Sequence, residues 1–152
     1  MKKGIMILWA CLFGLTAFSQ GIEFQQTSYS ELLKIAKKQK KMIFVDVYTS
    51  WCGPCKFMAK NIFTQEEAGT FYNANFLNLK VDAEKSEDGK MIAKQFEVTG
   101  FPTCLFIDGN GELVYRFMGG RAIKQFVEEG KKALTAFEAR PELKKHARQY
   151  EK

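Results

Sequence analysis

The stretch YTSWCGPCKFMAK, Tyr48 to Lys60, holds two cysteines two residues apart, behind a tryptophan and around a glycine and a proline. Such a pair can clip a metal, staple a turn or exchange electrons, and the neighbouring sequence bears on the choice. Upstream, Met42 to Tyr48 (MIFVDVY) is almost continuously apolar and too short for a helix, as a strand covered on both faces reads. Downstream, Pro54 suits the first turn of a helix, and Cys55, Met58, Ala59 and Ile62 recur at i, i+3, i+4 and i+7. Cys52 is therefore expected at a helix N-terminus. Unpaired backbone N–H groups and the macrodipole there favour a thiolate, below the free-cysteine pKa of about 8.5. Cys55, one turn on, falls on the core-facing stripe and is expected to be shielded.

That asymmetry assigns roles. Cys52 is the expected nucleophile, open to a substrate disulfide, and Cys55 the resolving thiol. Pro54 stiffens the turn between them and Trp51 provides an apolar wall. Zinc would require four ligands, yet no second cysteine pair exists, His146 is alone in the tail, and Cys104 lies in an apolar strand. A permanent staple would stabilise little, because so short a loop hardly restricts the unfolded chain. Asp46, inside the apolar strand six residues before Cys52, would be desolvated and its pKa raised. It is the candidate acceptor for the Cys55 proton, directly or through a water. Its alternative is a buried carboxylate that hydrogen-bonds locally. Cys104 reads as a small buried hydrophobe rather than a third redox thiol.

Further out, Ser28-x-x-Glu31 and Thr64-x-x-Glu67 are capping boxes, the first opening a helix to about Lys40 and the second marking a kink or fresh start near Phe63. Phe76 to Val81 is a second buried strand, and a helix runs through Met91, Ile92, Gln95 and Phe96. Thr103 to Ile107 and Glu112 to Phe117 are strands around an Asp108-Gly109-Asn110-Gly111 turn, and a last helix carries Ile123, Phe126, Val127, Leu134 and Phe137. The order αβαβαββα predicts an α/β fold: one domain, residues 22–139, with a central mixed β-sheet flanked by helices. A charged tail, 140–152, follows.

The first 19 residues read as a signal peptide: Lys2 and Lys3, an uncharged run from Gly4 to Phe18, then the small residues Ala17 and Ser19. A retained anchor is the alternative. Cleavage would remove two lysines and Cys11, taking the net charge of the 152-residue chain from +6 to +4 and leaving Cys52, Cys55 and Cys104. The charges are dispersed, without interleaved aromatics, so no nucleic-acid partner is expected. No stable membrane insertion is expected after cleavage.

The motif Trp51-Cys52-Gly53-Pro54-Cys55, the upstream Asp46 and Gly100-Phe101-Pro102-Thr103 heading a strand together resemble the thioredoxin family, over roughly Tyr29 to Phe137. The similarity extends to exported thioredoxin-like proteins and to the electron-delivering periplasmic domain of membrane disulfide reductases. It implies a thioredoxin-like fold and a cis Phe101–Pro102 peptide facing the cysteines, with the Phe101 backbone pairing to an extended substrate. It also implies catalytic Cys52, Cys55 and Asp46, and substrate contacts at Trp51, Gly53, Pro54, Phe101 and Pro102. No metal and no cofactor beyond the Cys52–Cys55 disulfide are implied. The expected protein is a periplasmic, monomeric protein-disulfide reductase, recharged by a membrane electron-donor reductase. Gly-Pro between the cysteines resembles reducing members of the family. Isomerase or oxidase activity, or a non-catalytic protein-binding scaffold, are the alternatives. Many relatives carry a lysine near the buried aspartate; Asn78 and Lys80 are the candidates for it here.

Overall fold

The computed structural model describes residues 21–140. The expected signal peptide, 1–19, and all of the expected tail after Arg140 lie outside the described residues. The order is α1 (Tyr29–Gln39), β1 (Met42–Tyr48), α2 (Gly53–Asn61), α3 (Glu66–Asn75), β2 (Phe76–Asp82), α4 (Glu87–Gln95), β3 (Thr103–Ile107), β4 (Leu113–Met118) and α5 (Ile123–Glu138). The sheet order is β2-β1-β3-β4. β1 runs parallel to β2 and antiparallel to β3, and β4 is antiparallel to β3. This is the mixed sheet in one α/β domain that the sequence predicts.

β1 is central, which explains its unbroken apolar character. Ile43, Val45 and Val47 point to one face and pack with Leu105 and Ile107 against Leu32 and Ala36 of α1 and Ile92 of α4. Phe44 points to the other face and meets Phe106, Met58 of α2, Tyr72 of α3 and Phe126 of α5. The Tyr72 and Phe126 rings stack at 4.3 Å, and the Tyr72 hydroxyl donates to the Phe126 carbonyl. Ser28 caps α1, accepting from Glu31 N at 3.2 Å, but the Glu31 carboxylate turns to Lys34 rather than back to the cap.

After Cys55 the chain makes a fresh helix start near Phe63, as the sequence suggests, so two helices, α2 and α3, stand where the order αβαβαββα counts one. The second does not start from a Thr64 cap. Thr64 Oγ1 donates back to the Lys60 carbonyl at 2.8 Å, closing the end of α2, and Gln65 becomes the N-cap of α3 without a side-chain bond. A threonine hydroxyl that satisfies an i−4 carbonyl is no longer available to cap the next helix.

Asp108 organises the β3–β4 turn by accepting from the backbone of Asn110 and Glu112, and Gly111 takes φ +84° there. The first residue of the expected tail, Arg140, is bound to this turn, pairing with Asp108 and donating to the Leu113 carbonyl. Arg140 is thus held against the domain.

Candidate active site at the N-terminus of α2

The β1 chain leaves the sheet at Tyr48, and Cys52 becomes the N-cap of α2 with extended backbone (φ −71°, ψ 112°). Its Sγ accepts from Cys55 N at 3.1 Å. Pro54 sits in the first turn, which holds no acidic residue. Cys52 and Cys55 form a disulfide, with Cα atoms 5.3 Å apart. The Cys52 sulfur therefore sits at the positive end of the helix dipole, with the Cys55 N–H donating to it.

The expected contrast in exposure is corrected. Cys52 is only 4% exposed, against 2% for Cys55. As N-cap, Cys52 folds back over the first helical turn, and the disulfide ties its sulfur to the buried Cys55. The exposed residues are those around it: Trp51 at 64%, with Gly53 and Pro54.

The loop before β3 supplies the other wall. The Phe101–Pro102 peptide is cis, Pro102 is buried, and its carbonyl accepts from Gly119 N at 2.8 Å. The Phe101 ring meets Trp51 edge-to-face at 5.9 Å, so two of the expected substrate-binding residues, fifty positions apart, form one apolar surface. Met118 lies beside the same loop: it is half exposed, and its Sδ lies 2.9 Å from where a Cβ on Gly100 would be. The Trp51 indole N–H donates to both Glu84 carboxylate oxygens, at 3.1 and 3.0 Å. Glu84 lies in a tight turn in which Asp82 Oδ1 accepts from the Glu84 and Lys85 backbone. Neither Glu84 nor Met118 carried a sequence signal, because their roles come from contacts between segments distant in the chain.

Asp46 is fully buried, and neither carboxylate oxygen has a hydrogen-bond partner. Lys80 Nζ lies 3.6 Å from Asp46 Oδ2, and the β1–β2 register places the two residues side by side. Asn78, the other sequence candidate, is instead two residues away along β2. Burial pushes the Asp46 pKa up to about 6 despite the opposing pull of Lys80. Asp46 is also paired across β1–β3 with Cys104, and Cys104 with Phe117. Paired residues share a face, so Lys80, Asp46, Cys104 and Phe117 form a row across the sheet on the side that α2 covers. Cys104 is fully buried, and burial, with Asp46 beside it, holds its thiol well above the ordinary range. Among the described residues, no group of three or more His, Cys, Asp or Glu side chains could hold a metal ion.

An α/β domain with a bridged cysteine pair capping a helix, a buried carboxylate on the preceding strand and a cis-proline loop alongside defines a class of thiol–disulfide domain. Residues 29–134 match a family model described as a thioredoxin-like domain, and the chain belongs to that family. It is 31% identical over 123 residues to a protein disulfide-isomerase of Schizosaccharomyces pombe, covering 78% of this chain and 32% of that protein. It is also 31% identical over 131 residues to the thiol:disulfide interchange protein DsbD of Haemophilus ducreyi, covering 73% of this chain and 23% of that one. The chain thus spans about a third or less of these relatives' own lengths. Among solved structures, a candidate disulphide-isomerase of Bacteroides thetaiotaomicron superposes with a TM-score of 0.67 at 39% identity, over 76% of this chain and 95% of that one. These relatives are thiol–disulfide oxidoreductases by name, and the chain carries the CxxC pair of that family.

Proposed function

We propose that this protein is an exported thiol–disulfide oxidoreductase that reduces protein disulfides, with the Cys52–Cys55 pair as its redox group. The observation that carries the reading is the position of Cys52 Sγ: bonded to Cys55, and capping the first turn of α2. In the reduced protein, the Cys52 thiolate attacks one sulfur of a substrate disulfide. A Cys52–substrate disulfide forms and the other substrate sulfur leaves as a thiolate. Asp46 takes the Cys55 proton, directly or through a water, and the Cys55 thiolate attacks Cys52 Sγ. The substrate's second sulfur is expelled and the Cys52–Cys55 disulfide closes. Two electrons pass to the substrate, and each departing thiolate takes up a proton. Asp46 suits this task because burial brings its pKa to about 6, close enough to neutral to receive and release a proton. Trp51, Gly53, Pro54, Phe101 and Pro102 form the surface on which an extended substrate lies, its backbone pairing at Phe101.

Export through residues 1–19 places the protein in the periplasm as a monomer. A membrane electron-donor reductase then returns two electrons to the pair. Among the described residues no helix is long and apolar enough to cross a membrane. Disulfide isomerisation is the second reading, favoured by the names of two relatives.

Insulin reduction with dithiothreitol as electron source tests the proposal. Wild type is expected to accelerate it strongly and Cys52→Ser not at all. Equal rates for the two would leave a binding scaffold as the better account. Recovery of scrambled ribonuclease faster than insulin reduction would favour isomerisation.

A further inference from the structure

Residues 21–26, ahead of α1, carry no helix or strand pattern, yet they are clamped onto the domain. Ile22 N donates to the Phe63 carbonyl at 2.7 Å and Gln25 N to the Asn78 carbonyl at 2.8 Å, giving a single parallel bridge between Phe24 and Asn78 at the β2 edge. Asn73 holds the segment from beneath: its Oδ1 accepts from Glu23 N at 2.9 Å, and its Nδ2 donates to the Gly21 carbonyl at 3.0 Å. Asn78 Nδ2 donates to the same Asn73 Oδ1 at 3.0 Å. The strap lies so close to α3 that a Cβ on Gly69 would stand 2.5 Å from the Gly21 oxygen.

The result of this anchoring is the placement of one ring. The centroid of Phe24 is 5.9 Å from Lys80 Nζ, with Phe63 at 5.4 Å and Tyr48 at 4.7 Å. Three aromatic rings and one carboxylate, Asp46, thus surround the ammonium, whose side chain is 25% exposed. Phe24 and Lys80 are both shared between two clefts of about 810 and 520 Å³, one on each side of the strap. The ring is part of the partition between them.

We propose that the N-terminal strap holds Lys80 on Asp46, making Phe24 a positioning residue for the proton acceptor of the resolving step. An ammonium faced by rings gains cation–π attraction without hydrogen bonds; Asp46 is its one salt-bridge partner among the described residues, and the low local polarity keeps their attraction strong. Removing the Phe24 ring admits water, which solvates the ammonium and screens it from Asp46. The other charged or titratable groups facing this pair are Tyr48 on β1, Asp82 on β2 and Cys104 on β3, with Lys85 and Asp88 around the larger cleft. None of them touches Lys80 Nζ as a salt-bridge partner.

The inference rests on Asp46 as proton acceptor, but it is tested without turnover. Carboxyl carbon NMR follows Asp46 titration in the oxidised protein for wild type, Phe24→Leu, Lys80→Met and the double variant. Lys80→Met is expected to raise the midpoint, and Phe24→Leu to raise it less. In the Lys80→Met background Phe24→Leu is expected to add nothing. Asn73→Ala, which loosens the strap away from the rings, is expected to move the midpoint in the same direction as Phe24→Leu and serves in its place should that variant fold poorly. A midpoint unmoved by either strap variant, or moved equally with and without Lys80, would overturn the proposal. Should Asp46→Asn leave the pH dependence of insulin reduction unchanged, the proton-acceptor reading fails on its own, whatever the titrations give.

Discussion

Lys80 Nζ stands 3.6 Å from Asp46 Oδ2 beneath the helix that carries the cysteines, and that lysine is the only salt-bridge partner Asp46 has among the described residues. The pair is unequal. Desolvation of Asp46 outweighs the attraction of Lys80, so the carboxyl holds its proton up to about pH 6, against 3.8 for an ordinary aspartate.

A stability measurement against pH follows from this. Below the ordinary value both folded and unfolded chains keep the proton, and Asp46 adds no pH dependence to stability. Between 3.8 and about 6 the unfolded chain has lost the proton that the folded chain retains, so stability falls as pH rises. Above that window the cost is complete, at about 3 kcal/mol by the usual conversion of about 1.4 kcal/mol for each pH unit. Asp46→Asn has no such slope. Urea unfolding from about pH 3.5 to about pH 7.5 should show the variant gaining by about that amount relative to wild type. Parallel curves for the two proteins would show that Asp46 is ionised as easily when folded as when unfolded.

Cys104 should be inert in the native state. It is fully buried in the row beside Asp46, and the raised pKa of its thiol suppresses the reactive thiolate. In the reduced protein without residues 1–19, iodoacetamide should label Cys52 first and reach Cys104 only after denaturant is added. Native labelling of Cys104 at a rate near that of Cys52 would contradict this.

The strand and helix order around the cysteines is legible because it rests on local signals: an unbroken apolar run for β1, a proline in the first turn of α2, and helical spacing at Met58 and Ile62. Other features depend on pairing between distant segments. The place of Lys80 depends on the β1–β2 register, in which a slip of one residue would turn its side chain to the opposite face. The Phe24 strap gives no periodicity, since a single bridge and two asparagine side chains hold it. Thr64 misleads because its hydroxyl can serve the helix behind it or the one ahead, and the sequence Thr-x-x-Glu is compatible with both. The openness of Cys52 was overestimated for a similar reason. Periodicity marks Cys55 as inward, but it does not report that the bridge draws Cys52 in as well.

Trp51 is the only tryptophan after residue 19, so its emission reports on the site directly. Glu84→Ala removes the acceptor of its indole N–H and frees the ring from one wall of the apolar surface. Since both side chains are exposed, stability should change by less than about 1 kcal/mol. KM for a protein disulfide should rise several-fold while kcat stays within about two-fold, as expected when binding alone is weakened. A loss confined to kcat would contradict a substrate-positioning role for Trp51.

Gly89 tests the packing of α4 on the end of β2. A Cβ there would lie 2.0 Å from the Asp82 carbonyl oxygen, which is backbone and cannot rotate away. Gly89→Ala should cost about 1–3 kcal/mol in urea unfolding despite the better helix propensity of alanine. An unchanged or raised midpoint would show that α4 does not sit this close.

The most direct test of the account is the ionisation of Cys52 in the reduced protein, followed by ultraviolet absorbance of the thiolate against pH, with Cys52→Ser as the reference. Its position as N-cap of α2 predicts a midpoint clearly below the free-cysteine value of about 8.5, and alkylation at neutral pH faster than that of a free cysteine. A midpoint at or above that value, with ordinary alkylation kinetics, would contradict electron exchange through this pair.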